Sequence, residues 1–280
     1  MIRSYFQRVS DHIDNGKLIK SGQDFYVRYT SHTDIPQNLA LQNNVLDALK
    51  KINKTYYLIF KDSEYLRKHM NAGHKIVGTF VKTPGILSQD KLVAHLLITN
   101  PCTEEEAGVA DPSLLPSKDL ESISVVSNIL VHQDYRGNKL MQQMLDHWLQ
   151  IAIDNGKEHA IAEASADNQF SWSVFLDSGF VIYGAAFDRR DGTNNFYLHK
   201  PLSEEFIYSQ DPHETKALKL FDESGDIDEK IYETLESLFE NGYHAVDFDK
   251  HTNTIIVAKC IGTRPIAEPN TSPGGPSQEL

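Results

Sequence analysis

Thirteen residues, Ile129-Leu-Val-His-Gln-Asp-Tyr-Arg-Gly-Asn-Lys-Leu-Met141, hold the residue types and spacing that chemistry would need. A β-branched run ends in a tight polar loop with a glycine, and a long helical pattern begins at Leu140. The first turn of a helix offers unpaired N–H groups and a partial positive charge, so the arrangement suits a bound pyrophosphate. Gly137 permits an unusual backbone angle or a close phosphate approach. The same spacing also reads as an ordinary strand–loop–helix with a turn glycine. Other chemistries lack their motifs: there is no Gly-x-Ser-x-Gly elbow, no phosphate loop ending in Gly-Lys-Ser/Thr and no His-Glu-x-x-His helix. No group of His, Cys and carboxylates has ligand spacing, so no metal is expected.

The elements that must position this loop follow from periodicity. Ile123 to Val131 reads as a buried strand. Leu140 to Ile153 reads as a helix with an apolar stripe of Met141, Met144, Leu145, Trp148, Leu149 and Ala152, stopped by Gly156. Upstream, strands are expected at 25–30, 75–81 and 91–99, and helices at 39–52 and 63–70; residues 100–119, with three prolines and an acidic cluster, read as a surface loop. Downstream, strands at 158–164, 180–187 and 195–199 flank a helix at 170–176, with Asp191-Gly192 as a hairpin turn. Such alternation, with hairpins early and late, indicates a mixed α/β sheet. Beyond Pro201 the pattern becomes a helix at 226–240 and a hairpin from 243 to 259, either a small added module or an extension of the same sheet. The tail, 261–280, rich in Pro, Gly and Ser, is expected to be disordered.

Composition narrows the partners. The 280 residues are 40% hydrophobic and 24% charged, as in ordinary globular proteins. The net charge of −12 is uneven: residues 203–260 carry 14 acidic side chains against five basic ones, three quarters of the total. No basic stripe offers a phosphate backbone a footprint, so nucleic acid is not an expected partner. No apolar run is long enough to span a bilayer, the first 20 residues lack a signal-peptide core, and Cys102 and Cys260 read as free thiols; a cytoplasmic location is expected.

The stretch Val131-His-Gln-Asp-Tyr-Arg-Gly-Asn-Lys-Leu140 resembles the strand-four and pyrophosphate-loop signature of the GNAT superfamily of N-acetyltransferases, usually written Arg/Gln-x-x-Gly-x-Gly/Ala. Position by position the loop is Arg136, Gly137, Asn138, Lys139, Leu140 and Met141. Asn168-x-x-Ser171-x-x-x-Phe175-x-x-x-Gly179-Phe180 resembles the family's second half-motif, and Asp191 to Lys200 its usual last strand. The resemblance covers residues 25–202, leaving an N-terminal segment (1–24), an acidic C-terminal helix–hairpin module (203–260) and the tail. It implies a mixed, mostly antiparallel central sheet flanked by helices, with a small C-terminal α/β extension. Three positions depart from the family: Lys139 stands where glycine is usual, Met141 where a small residue is usual, and Phe175 where many relatives place a tyrosine that protonates the departing thiolate.

The resemblance implies acetyl-CoA as co-substrate and direct attack of a neutral amine, from a small molecule or a peptide, on its thioester. Cofactor contacts then fall to Ile129, Leu130, Val131, Arg136 to Met141, Asn168, Ser171 and Phe175. A backbone N–H of Leu130 or Val131 would meet the developing oxyanion. Asn168 would bond the pantetheine arm or a water near it. Glu121 is a candidate base, though it reads better as a solvated strand-end carboxylate. Tyr183 and Tyr197 could replace the missing phenol as acid, though each reads better as a half-buried strand aromatic. His132 and His199 read better as a loop histidine and a strand-end histidine than as catalytic groups. The acceptor pocket is expected near 38–49 and 183–194, and the 203–260 module could serve homodimerisation, acceptor selection or docking. The alternative reading is a non-catalytic acetyl-CoA-binding or partner-binding protein on the same fold.

Overall fold

Runs of β-branched and aromatic residues supply most of the strands of one twelve-stranded sheet, seen in a computed structural model that describes residues 12–83, 89–189, 192–222 and 227–266. The strands are β1 (His12–Lys17), β2 (Asp24–Tyr29), β3 (Lys75–Val81), β4 (Lys91–Thr99), β5 (Ile123–Val131), β6 (His159–Ser165), β7 (Val181–Asp188), β8 (Thr193–Pro201), β9 (Glu204–Tyr208), β10 (Thr215–Lys219), β11 (Tyr243–Asp249) and β12 (Thr254–Pro265). The helices are α1 (Ile35–Lys50), α2 (Ser63–Asn71), the single turn α3 (Glu104–Ala107), α4 (Leu140–Asp154), α5 (Gln169–Asp177) and α6 (Glu229–Glu240). Strand order is β1-β2-β3-β4-β5-β6-β8-β7-β11-β12-β10, with β9 paired to β12. It is a mixed sheet in which every pairing is antiparallel except β5 with β6.

That parallel pair needs a crossover, and α4 provides it. The pairing lasts only from Ile123–Val126 against His159–Ala162. Past Val126, β5 continues alongside β4 while β6 continues alongside β8, so the two strands part. A bulge marks the divergence: Asn128 has φ 48°, and the register slips between Leu97–Ser127 and His95–Leu130. A bulge bends its strand and raises the local twist, which opens the sheet where it occurs.

Helices cover both faces. The apolar stripe of α4, with Met144, Leu145 and Trp148 fully buried, packs on Val126, Ala160 and Ala162, and the Trp148 indole donates to Ser124 Oγ (2.9 Å). Leu41, Val45 and Leu49 of α1 cover Phe80, Leu92 and Leu130 from the other side, and Leu66 of α2 covers Ile76 and Leu97.

Residues 204–265 extend the same sheet, because β11 joins β7 through Ala245 and Ile182. Trp172 of α5 closes that junction, packed on Phe196, Phe221 and Phe248. Helix α6 buries Tyr232, Leu235, Leu238 and Phe239 there, capped by the Asp228 carboxylate on the N–H groups of Lys230 and Ile231. Strands β1, β9 and β10 are additions to the sequence reading, and β12 runs to Pro265, inside the segment read there as a tail. Asp191 and the residues after 266 lie outside the described residues.

Several histidines are buried in neutral form. His95 is fully enclosed: Nδ1 donates to Asn38 Oδ1 (2.7 Å), Nε2 has no partner, and burial pushes its pKa down to about 3. His199, beside His159 and Phe206, is pushed to about 3, and His69 and His244 to about 4, again mainly by burial. In each case the folded pKa lies below the unfolded value, so the unfolded chain takes up protons first as pH falls through about 6.5. Stability is therefore full above that pH and is lost between about 6.5 and 3. Urea melts at pH 7.5 and 5 should differ by several kcal/mol, on the order of 1.4 kcal/mol per pH unit for each fully buried ring. Equal midpoints at the two pH values would contradict the neutral burial.

Candidate active site

The cleft where β5 leaves β6 is built from backbone. His132 N–H bonds the Val93 carbonyl of β4 (2.8 Å), and the register continues through Val131–Ala94 and Leu130–His95. Antiparallel strands alternate the direction of their N–H groups. Leu130 N–H therefore points at β4, and the N–H groups of Ile129 and Val131 turn toward the opening. Of the two residues named for the oxyanion donor, Val131 has the suitable direction, and Ile129 shares it.

The loop ends at a helix with an unsatisfied N-terminus. Lys139 takes the N-cap position with φ 57° and no capping side chain. Gln143 N–H is the first to close a turn, on the Lys139 carbonyl (3.1 Å). The N–H groups of Leu140, Met141 and Gln142 have no partner among the described residues. Gly137 has φ 78° and is exposed, as are Arg136 and Lys139. Lys139 thus adopts the left-handed backbone that glycine takes at no cost, at a strain of roughly 1 kcal/mol. Lys139→Gly should raise the urea midpoint by the equivalent of up to about 1 kcal/mol with the slope unchanged. No gain would mean that the lysine side chain makes compensating contacts.

Asn138 is buried and acts as a staple. Its amide nitrogen donates to the Tyr135 carbonyl (2.8 Å), and its oxygen accepts from Lys20 N–H (2.8 Å). The turn after β1 is thereby tied to the loop, and the Lys20 ammonium lies where a Cβ on Gly137 would come within 2.5 Å of it. Lys20, Arg136 and Lys139 form no ion pair among the described residues. Three exposed cations beside open helical N–H groups fit a diphosphate. Sequence reading overlooks Lys20 because it lies more than a hundred residues upstream.

The remaining named residues divide. Asn168, the N-cap residue of α5, and Ser171 are half-buried at the far side of the opening. Phe175 is buried in the core, edge-on to Phe180. Glu121 is exposed on the turn before β5, about 20 Å along the strand from the divergence. Tyr183 donates to the Leu114 carbonyl, and the Tyr197 hydroxyl accepts from Asp111 N–H; both phenols fasten the loop between α3 and β5. His132 stands between Lys91 and Tyr135, its Nδ1 accepting from Asp134 N–H (3.3 Å). Asn38 and Gln42 of α1 hold backbone carbonyls of their own region rather than an open pocket.

The other mouth of the cleft gathers residues the sequence did not single out. Glu163 on β6 accepts from Asn195 Nδ2 (2.6 Å) and Ala110 N–H (3.0 Å). Ser165, two residues on and on the same face, donates to Asp167 Oδ1 (2.6 Å). Lys54 Nζ (2.7 Å) and Tyr56 OH (2.5 Å) reach Asp167 Oδ2, and Tyr57 OH donates to the Asp167 carbonyl (2.8 Å). Lys54, Tyr56, Ser165 and Asp167, with Ala166, Gly192, Thr193, Asn194 and Ile227, line a cavity of about 360 Å³. Hydrogen bonds from Lys54, Ser165 and Tyr56 outweigh burial and hold the Asp167 carboxyl below the usual range, while Asp167 in turn raises Lys54. Burial and the Asp167 charge raise Tyr56 above an ordinary phenol.

Comparison with known proteins follows this geometry. Residues 47–180 match the model of the acetyltransferase (GNAT) family, a segment holding the last turn of α1, the diverging strands, the loop and α5. Over that segment the chain is similar to a GNAT acetyltransferase domain. A GNAT-family acetyltransferase from Listeria monocytogenes superposes with a TM-score of 0.50 at 16% identity, covering 67% of this chain and 100% of that one. A ribosomal-protein-alanine N-acetyltransferase from Brucella melitensis gives 0.44 at 17% identity, covering 63% and 99%. A protein from Salmonella typhimurium, solved with its cofactor acetyl-CoA, gives 0.46 at 13% identity, covering 66% and 98%. No curated protein matches the sequence. Lys139, which the loop resemblance aligns with a usual glycine, has a left-handed backbone. Among the described residues no helix is long and apolar enough to cross a membrane, and no group of three His, Cys, Asp or Glu is placed to hold a metal.

Proposed function

We propose that this protein is an N-acetyltransferase using acetyl-CoA, with an amine of a small molecule or peptide as acceptor. The observation that carries the reading is the open N-terminus of α4 beside an exposed Arg136-Gly137 turn, at the point where β5 and β6 part. Bound acetyl-CoA supplies the thioester that carries the acetyl group. Leu140, Met141 and Gln142 offer N–H groups to the diphosphate, and Lys20, Arg136 and Lys139 offer charge. Ile129 and Val131 present N–H groups along the opening, where one meets the thioester oxygen as it gains charge. Asn168 bonds the pantetheine arm from the facing side.

Glu163 is the better-placed carboxylate to accept the amine's proton, because it stands on β6 just past the last pair with β5. Glu163→Gln should lower kcat by about 100-fold and flatten the acid limb of the pH profile, with KM for acetyl-CoA held. Loss of folding in place of this split would leave Glu163 a structural link between Asn195 and Ala110. With Phe175 in the core and both late-strand tyrosines engaged, the departing thiolate is left to water or to an acceptor-side group.

The test is release of free CoA from acetyl-CoA with a panel of monoamines, diamines and lysine peptides. Release that rises with an acceptor supports the enzyme. Tight acetyl-CoA binding without acceptor-dependent release would favour a non-catalytic binding protein.

A further inference from the structure

Asp167, Tyr56 and Tyr57 surround one ammonium, with Ser165 holding the far carboxylate oxygen, and the ammonium present belongs to the protein. Lys54 Nζ sits 2.7 Å from Asp167 Oδ2 and 5.5 and 5.9 Å from the ring centroids of Tyr56 and Tyr57. The two rings meet edge to face (82°), and both hydroxyls are bound to Asp167, so carboxylate and rings form one preset cage. A carboxylate flanked by aromatic faces is chemistry that selects a primary ammonium over a neutral group. The cage opens on the 360 Å³ cavity, one residue before Asn168 and two after Ser165. Lys54 projects from the connection between α1 and α2, a short exposed segment.

An amine held this way cannot be the nucleophile, since a carboxylate partner keeps it protonated and a protonated amine has no lone pair to attack with. The cage therefore suits a second, non-reacting ammonium of the acceptor. We propose that Asp167, with Tyr56 and Tyr57, anchors the distal ammonium of a diamine-type acceptor, and that Lys54 is a tethered stand-in which the acceptor displaces. This rests on the acetyl-transfer reading for the identity of the acceptor, and on the cage alone for the ammonium. It turns the substrate class from any amine to an amine with a second cationic nitrogen an alkyl arm away.

The experiment is calorimetric titration of the full chain, with CoA present, by 1,4-diaminobutane and by its neutral isostere 1,4-butanediol. Lys54→Met removes the stand-in and should tighten 1,4-diaminobutane at least fivefold; Asp167→Asn should weaken it at least tenfold. 1,4-Butanediol, with no ammonium, should bind much more weakly to wild type and Lys54→Met. Ser165→Ala, which removes only a hydroxyl orienting the carboxylate, should weaken the diamine about threefold and stands in if Asp167→Asn fails to fold. Equal diamine affinity in wild type, Lys54→Met and the Asp167→Asn or Ser165→Ala protein would overturn the proposal, as would equal affinity for the diamine and the diol. Diamine binding with this pattern, but without CoA release, would instead sink the enzyme reading and keep the cage.

Discussion

Gly137→Asp is expected to raise the Kd for acetyl-CoA by about 100-fold while leaving a folded protein. The strain of a side chain at φ 78°, about 1 kcal/mol, lowers stability of free and bound protein alike, and aspartate tolerates the left-handed region better than most residues. The effect on binding is charge: a carboxylate about 5 Å from a diphosphate of two negative charges opposes binding by about 3 kcal/mol at an effective dielectric near 40. Lys20 stands close enough to pair with the new carboxylate, which would also withdraw a cation from the ligand. Gly137→Ala carries the strain without the charge and should bind within a few-fold of wild type. Calorimetry with acetyl-CoA on the three proteins separates the contributions; equal affinity for wild type and Gly137→Asp would move the cofactor away from this loop.

Trp172→Ala should destabilise the protein by about 3–5 kcal/mol. Trp172 is fully buried, donates to the Ala166 carbonyl (2.9 Å) and touches rings from both parts of the sheet: Phe196 of β8 on one side, Phe221 and Phe248 on the other. Its removal leaves a cavity that no single neighbour can fill, and the indole's partner carbonyl loses its donor. Urea denaturation should keep one transition at a lower midpoint. A loss below about 1 kcal/mol, or two separated transitions, would show residues 204–265 to be a unit apart from the body.

The parts of the fold carried by local pattern were legible in the sequence. The α4 stripe and the loop glycine depend on neighbours within a few residues, and the boundaries of β3, β4, β5 and α4 agree closely with the periodicity. β1 escaped because His12–Lys17 is a polar strand on the sheet edge, without the alternation a half-buried strand shows. β9 and β10 are five-residue edge segments of the same kind. Within the site, the helix start and its glycine could be read, but the direction of the Leu130 N–H depends on the bulge at Asn128, which no residue type announces. Asp167 stands beside the recognisable Asn168 and was passed over because its partners, Lys54 to Tyr57, lie about 110 residues away in sequence. Tyr183 and Tyr197 had the right chemistry on the right strands; what occupies their hydroxyls is a loop whose path has no period to read.

The junction of β7 with β11 also sets an order of events during synthesis. By the time Lys200 has left the ribosome, every residue of the loop before α4 and both diverging strands exist, yet the β7 edge is unpaired and Trp172 has no Phe221 or Phe248 to close over it. The nascent chain must hold an open strand edge and an uncovered aromatic patch until β11 and β12 emerge some fifty residues later, a state prone to edge-to-edge association. Chaperone dependence and yield should therefore respond most sharply to changes in the last strands.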